Sequence, residues 1–411
     1  MFLIPLLPPL CQVATSQSSV VNTQTQTSSV TSTQTLNVDD ASGSISGVST
    51  ATGNSGSAAV ETGALNVVTT QSLTAPVAAT NVLNVTTNAG PQAVMTTAAT
   101  ANSGDAASYE GGALTGTVNQ SVAAAGEVTA ATQFNASAAQ AGSDSTAALS
   151  TATQALGNNQ TVEVSDTTAA MTINQTNAAI TGVNGDAVLG YTAGSASFSA
   201  NAVANNMGGS GTGNASQTLT VNQTAGGETV SEQDANIGNA QTVSASATST
   251  ANNISVSNEN GALSLTDNQS STAYVQAQAQ VSSYQYGAAT ASAEGVDNSV
   301  VAGNIGPSLT LDNTQSSTGS GLEVAARFND GGDTANTNYD AYASSTAIAN
   351  SVTGFACSDC SGTIEVNNTQ TNSTVVGATS EIDLAAPNRS VTAASTAIGN
   401  SATFYVSKPK S

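Results

Sequence analysis

The chain has 411 residues, of which 26 are acidic, only four are basic (Arg327, Arg389, Lys408 and Lys410) and none is histidine or tryptophan, giving a formal net charge of −22. Without histidine, Ser-His-Asp and Cys-His nucleophiles and most zinc chemistry are excluded, so an enzyme would have to run on carboxylates alone. Four basic residues cannot clamp a run of phosphates, which excludes nucleic-acid binding, and the sequence carries no cofactor motif.

The first sixteen residues, MFLIPLLPPLCQVATS, are an apolar run followed by small residues. They resemble the apolar stretch of a secretory signal, with cleavage expected near Ala14 or Ser16, although no basic residue precedes the run and prolines interrupt it. Residues 1–16 are therefore read as a signal-peptide remnant and residues 17–411 as one repetitive domain. No run of about 18 apolar residues occurs, so no transmembrane helix is expected.

From Gln17 onward the composition is small and polar, and only 3% of residues are aromatic. Such a chain could be disordered, but Thr and Val are common while Pro, Lys and Glu are scarce, which favours stacked β-structure with a thin core. Two marks recur. The first is a small-residue run ending in Asn, at Asn54, Asn102, Asn158, Asn206, Asn253, Asn298, Asn350 and Asn400, a mean spacing of about 49 residues. The second is an alternating strand running into Asn-Gln: GALTGTVNQS at Asn119 and Gln120, MTINQT at Asn174 and Gln175, LTVNQT at Asn222 and Gln223, and LSLTDNQS at Asn268 and Gln269. Looser copies occur at Asn22, Asn66, Asn313 and Asn367.

Within each unit the apolar–polar period is two, as in LTVNQT, QTVSASATST and AYVQAQAQVSSYQYG, which is the strand signature. The pairs Gly157-Asn158, Asn184-Gly185, Asn260-Gly261, Gly331-Gly332 and Gly399-Asn400 accept positive φ and mark turns. Each unit then supplies two or three short strands and cannot bury an apolar face alone, so stacked copies must share one. The expected fold is all-β, a β-solenoid of about eight units of about 50 residues, with the eight Asn and Gln side chains of the NQ motifs aligned as hydrogen-bonded ladders. Two or three coils per unit would make a spacer rod on the order of 75 to 115 Å long.

Few residues suggest chemistry. Cys357 and Cys360, in ACSDC, form a C-x-x-C pair that lacks the further ligands zinc needs; a local disulfide and a pair of free thiols are the two readings. Asn329-Asp330-Gly331-Gly332-Asp333 reads as a turn with solvated carboxylates, with calcium as the alternative. Tyrosines cluster at Tyr284 and Tyr286 and at Tyr339 and Tyr342, where they serve packing between coils or stacking on sugars.

The QTQT run, the TATGNS and STAIGNS blocks and the recurring VNQT strands resemble the holdfast anchor proteins of stalked alphaproteobacteria, of the HfaD type. The resemblance implies an exported, outer-membrane-associated, non-catalytic protein at the cell surface that tethers adhesive holdfast polysaccharide to the cell pole. It also implies other holdfast anchor proteins and a curli-type export lipoprotein as partners. The Asn/Gln/Gly/Ala richness is similar to curli subunits, but the repeat is near 50 residues instead of the low twenties. Self-association into a functional-amyloid-like fibre, or a general adhesin role, is the alternative, and a polysaccharide-cleaving enzyme working on carboxylates is a third.

Overall fold

A computed structural model describes residues 17–141, 146–332, 339–357, 362–385 and 387–407. Alternation of small and β-branched residues with polar ones lets every segment lie as a strand with one face inward, and the Gly, Asn and Asp between them turn the chain. Eight coils result. In order they contain β1 (Gln17–Gln26), β2 (Val30–Asp40) and β3 (Ile45–Val60); β4 (Ala64–Leu73), β5 (Val77–Asn88) and β6 (Gln92–Tyr109); β7 (Ala113–Val122), β8 (Val128–Ala141) and β9 (Ala148–Ser165). The fourth coil holds β10 (Thr168–Asn177), β11 (Thr181–Thr192) and β12 (Ser195–Thr212). The fifth and sixth are built from β13 (Ala215–Ala225), β14 (Thr229–Ser271) and β15 (Tyr274–Ile305), whose two long elements run unbroken round corners. The seventh is β16 (Ser308–Ser317), β17 (Gly321–Asp330) and β18 (Asp340–Cys357), and the eighth is β19 (Thr363–Asn372), β20 (Val376–Asp383) and β21 (Ser390–Ser407).

Each strand pairs in parallel with the strand one coil further on: β1 with β4, β2 with β5 and β3 with β6, in registers such as Gln24↔Gln71, Leu36↔Leu83 and Asn54↔Asn102. The fold is therefore a three-sided parallel β-solenoid. One repeat makes one coil, and this corrects the expected length. At about 4.8 Å per coil the stack is about 35 Å tall, while its longest side runs for 18 residues, a contour of about 55 Å. The body is broader than it is tall, so it is not a spacer rod. Electron micrographs of the isolated protein are expected to show a particle about 35 Å deep along the coil axis, and a rod of 75 Å or more would contradict this pairing.

The third side bends at its middle. In β6 the inward residues are Ala93, Met95 and Ala99, then Ala101 and Asn102 are both buried, after which Ala106 and Ser108 point inward. Two consecutive inward residues shift the alternation by one and turn the strand, and the residue before the Asn drops out of the pairing register in every coil. That residue is Gly53, Ala101, Gly157, Ala204, Ala251, Asp297, Ala349 and Gly399 in turn. This is why a small residue precedes the recurring Asn. In VANN and STANN the corner residue is Asn205 and Asn252, each fully buried, and not the Asn206 and Asn253 expected from sequence.

Other corners use turn chemistry. Asn88, Asn177 and Asn372 accept from the backbone N–H two residues on, and so does Asp330 from Gly332 at 2.8 Å. The corner after the third side carries positive φ at Gly63, Glu110, Asp166, Gly213 and Asn260 in successive coils. Asn184-Gly185 is not a turn: it lies inside β11, where an added Cβ on Gly185 would sit 2.1 Å from Gln233 Oε1 of the next coil.

The interior is filled by columns running from coil to coil. One contains Leu36, Leu83, Phe134, Ala187, Ala235, Val281, Phe328 and Ile382, alternating bulky stretches with Ala. Another runs Val67, Gly116, Met171, Leu219, Leu265 and Leu311. Where the core is Ala-rich, each residue buries little apolar area, so polar contacts between coils carry more of the specificity than in a Leu-rich core.

Candidate functional site

On the first side Leu219, Val221 and Gln223 of LTVNQT point inward, while Thr220 and Asn222 face outward. The Asn and Gln of the NQ motifs therefore stack in separate columns on opposite faces of one sheet. On the outer face Asn174 Nδ2 donates to Asn119 Oδ1 at 2.9 Å, Asn222 to Asn174 at 2.8 Å and Asn268 to Asn222 at 2.9 Å. The column continues as Thr in the looser copies, at Thr23, Thr70, Thr314 and Thr369.

The inward column is longer. Gln71 donates to Gln24, Gln120 to Gln71, Gln175 to Gln120, Gln223 to Gln175, Gln269 to Gln223, Gln315 to Gln269 and Gln370 to Gln315, all between 2.7 and 2.9 Å. The looser copies are thus in phase through Gln24, Gln71, Gln315 and Gln370.

A second buried column was not foreseen from sequence. Asn54 Nδ2 donates to Asn102 Oδ1, and the series continues through Asn158, Asn205, Asn252, Asn298, Asn350 and Asn400 at 2.7–2.8 Å per step. Its donors point towards the C-terminal coil, whereas the Gln donors point towards the N-terminal one. Each amide spends its other hydrogen across the core. Asn205 Nδ2 reaches Thr224 O at 3.0 Å, next to Gln223, and Gln223 Nε2 reaches Asn253 O at 2.9 Å, next to Asn252. The same reciprocal pair recurs along the stack, for instance Asn102 to Ser121 O and Gln120 to Asn159 O. The first side and the bent half of the third side are clamped together in every coil.

Two carboxyls break the columns. Asp267 occupies the slot held by Val221 one coil earlier and is fully buried. Burial pushes it up to about 8, and Asp312 adds to the shift. With its amide oriented to satisfy its neighbours, Asn313 donates to the two Asp267 oxygens at 2.9–3.0 Å and turns its own oxygen towards Asn368 at 2.6 Å. Asp297 takes the corner slot otherwise filled by Gly or Ala. Burial pushes it up to about 7, against the hydrogen bonds it accepts from Ser317 and Ser271.

Tyr286 is 4% exposed, packs edge-on against Phe328 at 5.0 Å and donates to Asn388 Oδ1 at 2.6 Å, whereas Tyr284, Tyr339 and Tyr342 are exposed. Cys357 is buried at the end of β18; Cys360 lies outside the described residues, as do Asp333 and residues 1–16. Among the described residues no group of His, Cys, Asp and Glu is arranged to hold a metal ion, and no helix is long and apolar enough to cross a membrane.

No curated protein and no solved structure matches the chain. A family model described as holdfast attachment protein D matches residues 40–321, more than half of the chain and most of the first seven coils. With that match, the chain belongs to the HfaD (holdfast attachment protein D) family.

Proposed function

We propose that the protein is a non-catalytic tether that is exported to the outer membrane and holds adhesive holdfast polysaccharide at the cell pole. The observation that carries this reading is the pair of buried amide columns running through all eight coils. Pulling the coils apart requires breaking a backbone ladder and two side-chain ladders together, which suits a part that bears load. Membership of the holdfast attachment family supports it, and the net charge of −22 keeps free copies apart in solution. Other holdfast anchor proteins and a curli-type export lipoprotein are the partners this role requires. The test is to delete the gene in its host and follow the polysaccharide with a fluorescent lectin. Shedding of polysaccharide into the medium supports the tether; polysaccharide that stays on the cells, with normal attachment, ends this reading.

A second reading, self-assembly into a fibre, rests on the ends of the columns. Among the described residues Asn400 only accepts and Gln370 only donates along its column, while at the other end Asn54 donates and Gln24 accepts. The groups left over, Asn400 Nδ2 with Gln370 Oε1 and Asn54 Oδ1 with Gln24 Nε2, are complementary when one copy stacks head to tail on another. Among the described residues, inward positions of β21 such as Ala402, below Val352, are exposed. A lysine there, Ala402→Lys, blocks such stacking. On this second reading sedimentation shows oligomers of the native chain and monomers of the variant; two equal profiles dismiss the fibre.

A further inference from the structure

The corner joining the second and third sides carries a groove along the coil axis that the clamped core does not use. Tyr191 of the fourth coil, Asn239 and Gln241 of the fifth, Gln285 of the sixth and Tyr339 of the seventh line it, around a volume of about 430 Å³. Tyr191, Asn239 and Gln285 are register partners in successive coils. Five of the chain's eight tyrosines (Tyr191, Tyr284, Tyr286, Tyr339 and Tyr342) fall within a few residues of this corner, so even spreading of packing residues does not account for them. Only Tyr286 is buried; Tyr191 is 38% and Tyr339 48% exposed.

The amides of the groove differ from those of the columns. The side chains of Asn239, Gln241 and Gln285 make no hydrogen bond among the described residues, although Asn239 and Gln285 are coil neighbours placed as ladder members are. Their donors and acceptors are open to a ligand. No charged side chain lines the groove. Nearby, Arg389 is engaged with Asp340 and lies 5.5 Å from the Tyr339 ring centroid, which fixes that ring.

We propose that this corner binds a segment of neutral polysaccharide lying along the coil axis. Tyr191 and Tyr339 stack on the C–H faces of sugar rings, and the three amides bond to hydroxyls. The strand spacing of about 4.8 Å is close to the length of one pyranose unit, so successive sugars meet successive coils. An anionic glycan would meet neither a cation in the groove nor a favourable field from a chain of net charge −22. The inference rests on the tether reading and gives it the surface that grips the glycan.

The experiment is calorimetric titration of the full chain with β-1,4-linked glucose and mannose hexasaccharides and with a hexuronate of the same length. The native chain is expected to bind a neutral hexasaccharide at least about tenfold more tightly than the hexuronate. The double variant Tyr191→Ala, Tyr339→Ala is expected to lose about tenfold or more in affinity with an unchanged thermal transition, and Tyr109→Ala, on a different corner, to lose none. Equal binding of native and double variant, tighter binding of the hexuronate, or no binding of either neutral chain overturns the groove assignment. Cells that retain polysaccharide with the double variant but shed it when the gene is deleted also refute the groove, and leave the tether standing.

Discussion

Replacing Asn205 with Ala is expected to lower the unfolding free energy by about 3–6 kcal/mol, while Asn222→Ala costs less than about 1 kcal/mol, although both remove one amide from one ladder. Asn205 is fully buried, donates to Asn252 Oδ1 and Thr224 O, and accepts from Asn158 Nδ2. Its loss orphans two buried groups, Asn158 Nδ2 and Asn252 Oδ1, at about 1–3 kcal/mol each, and takes a donor from the half-buried Thr224 carbonyl. Asn222 sits on the outer face between Asn174 and Asn268, where water replaces the lost partner. Denaturant unfolding of the two variants separates these outcomes. Similar small losses for both would mean that the inward column does not hold the coils together.

Stability is expected to fall as pH rises from about 4 to about 8, by a few kcal/mol in total, and to level off above that, which is the reverse of the usual carboxylate behaviour. In the unfolded chain Asp267 and Asp297 titrate at the ordinary 3.8; burial raises them to about 8 and about 7 in the fold. Across that window the folded chain binds more protons than the unfolded one. The stabilisation is fully present below the unfolded value and is lost as pH climbs through about 7 for Asp297 and about 8 for Asp267. The groups facing Asp267 are Asp312 and Asn313, and those facing Asp297 are Ser271 and Ser317, none of which is cationic. The double variant Asp267→Asn, Asp297→Asn is expected to flatten the profile and to exceed the native chain in stability at pH 9. Thermal unfolding across the pH range decides this, and a native profile that climbs with pH would refute it.

The strands and their copy number can be read from the sequence because period-two alternation and two phased marks are local signals. In equal register the copies of the NQ motif place like on like, Asn174 beside Asn119 and Gln175 beside Gln120. The pitch of the coil is not local: that one repeat makes one full turn depends on Gln71 pairing with Gln24, which no pattern inside a repeat reveals. The inward Asn column escaped for a related reason. Asn158 and Asn400 read as turn residues beside their glycines, and only the bend that turns two consecutive residues inward makes them and their counterparts core amides. VANN offers two asparagines, and burial alone selects Asn205 over Asn206. Asp267 did leave a signal, because aligning LSLTDNQ with LTVNQ sets an acid where Val221 stands. Asn184-Gly185 misleads as a turn because its glycine makes room for the Gln233 side chain, a neighbour 48 residues away.

If load passes through the buried amide columns of an anchored stack, weakening one column weakens attachment. The direct measurement is detachment of cells under increasing flow, using strains whose only copy of the gene is native, Asn205→Ala or Asn222→Ala, displayed at equal levels. Asn205→Ala cells are expected to tear away from their adhesive at lower shear, while Asn222→Ala cells hold like the native strain. Equal detachment of all three strains would contradict it.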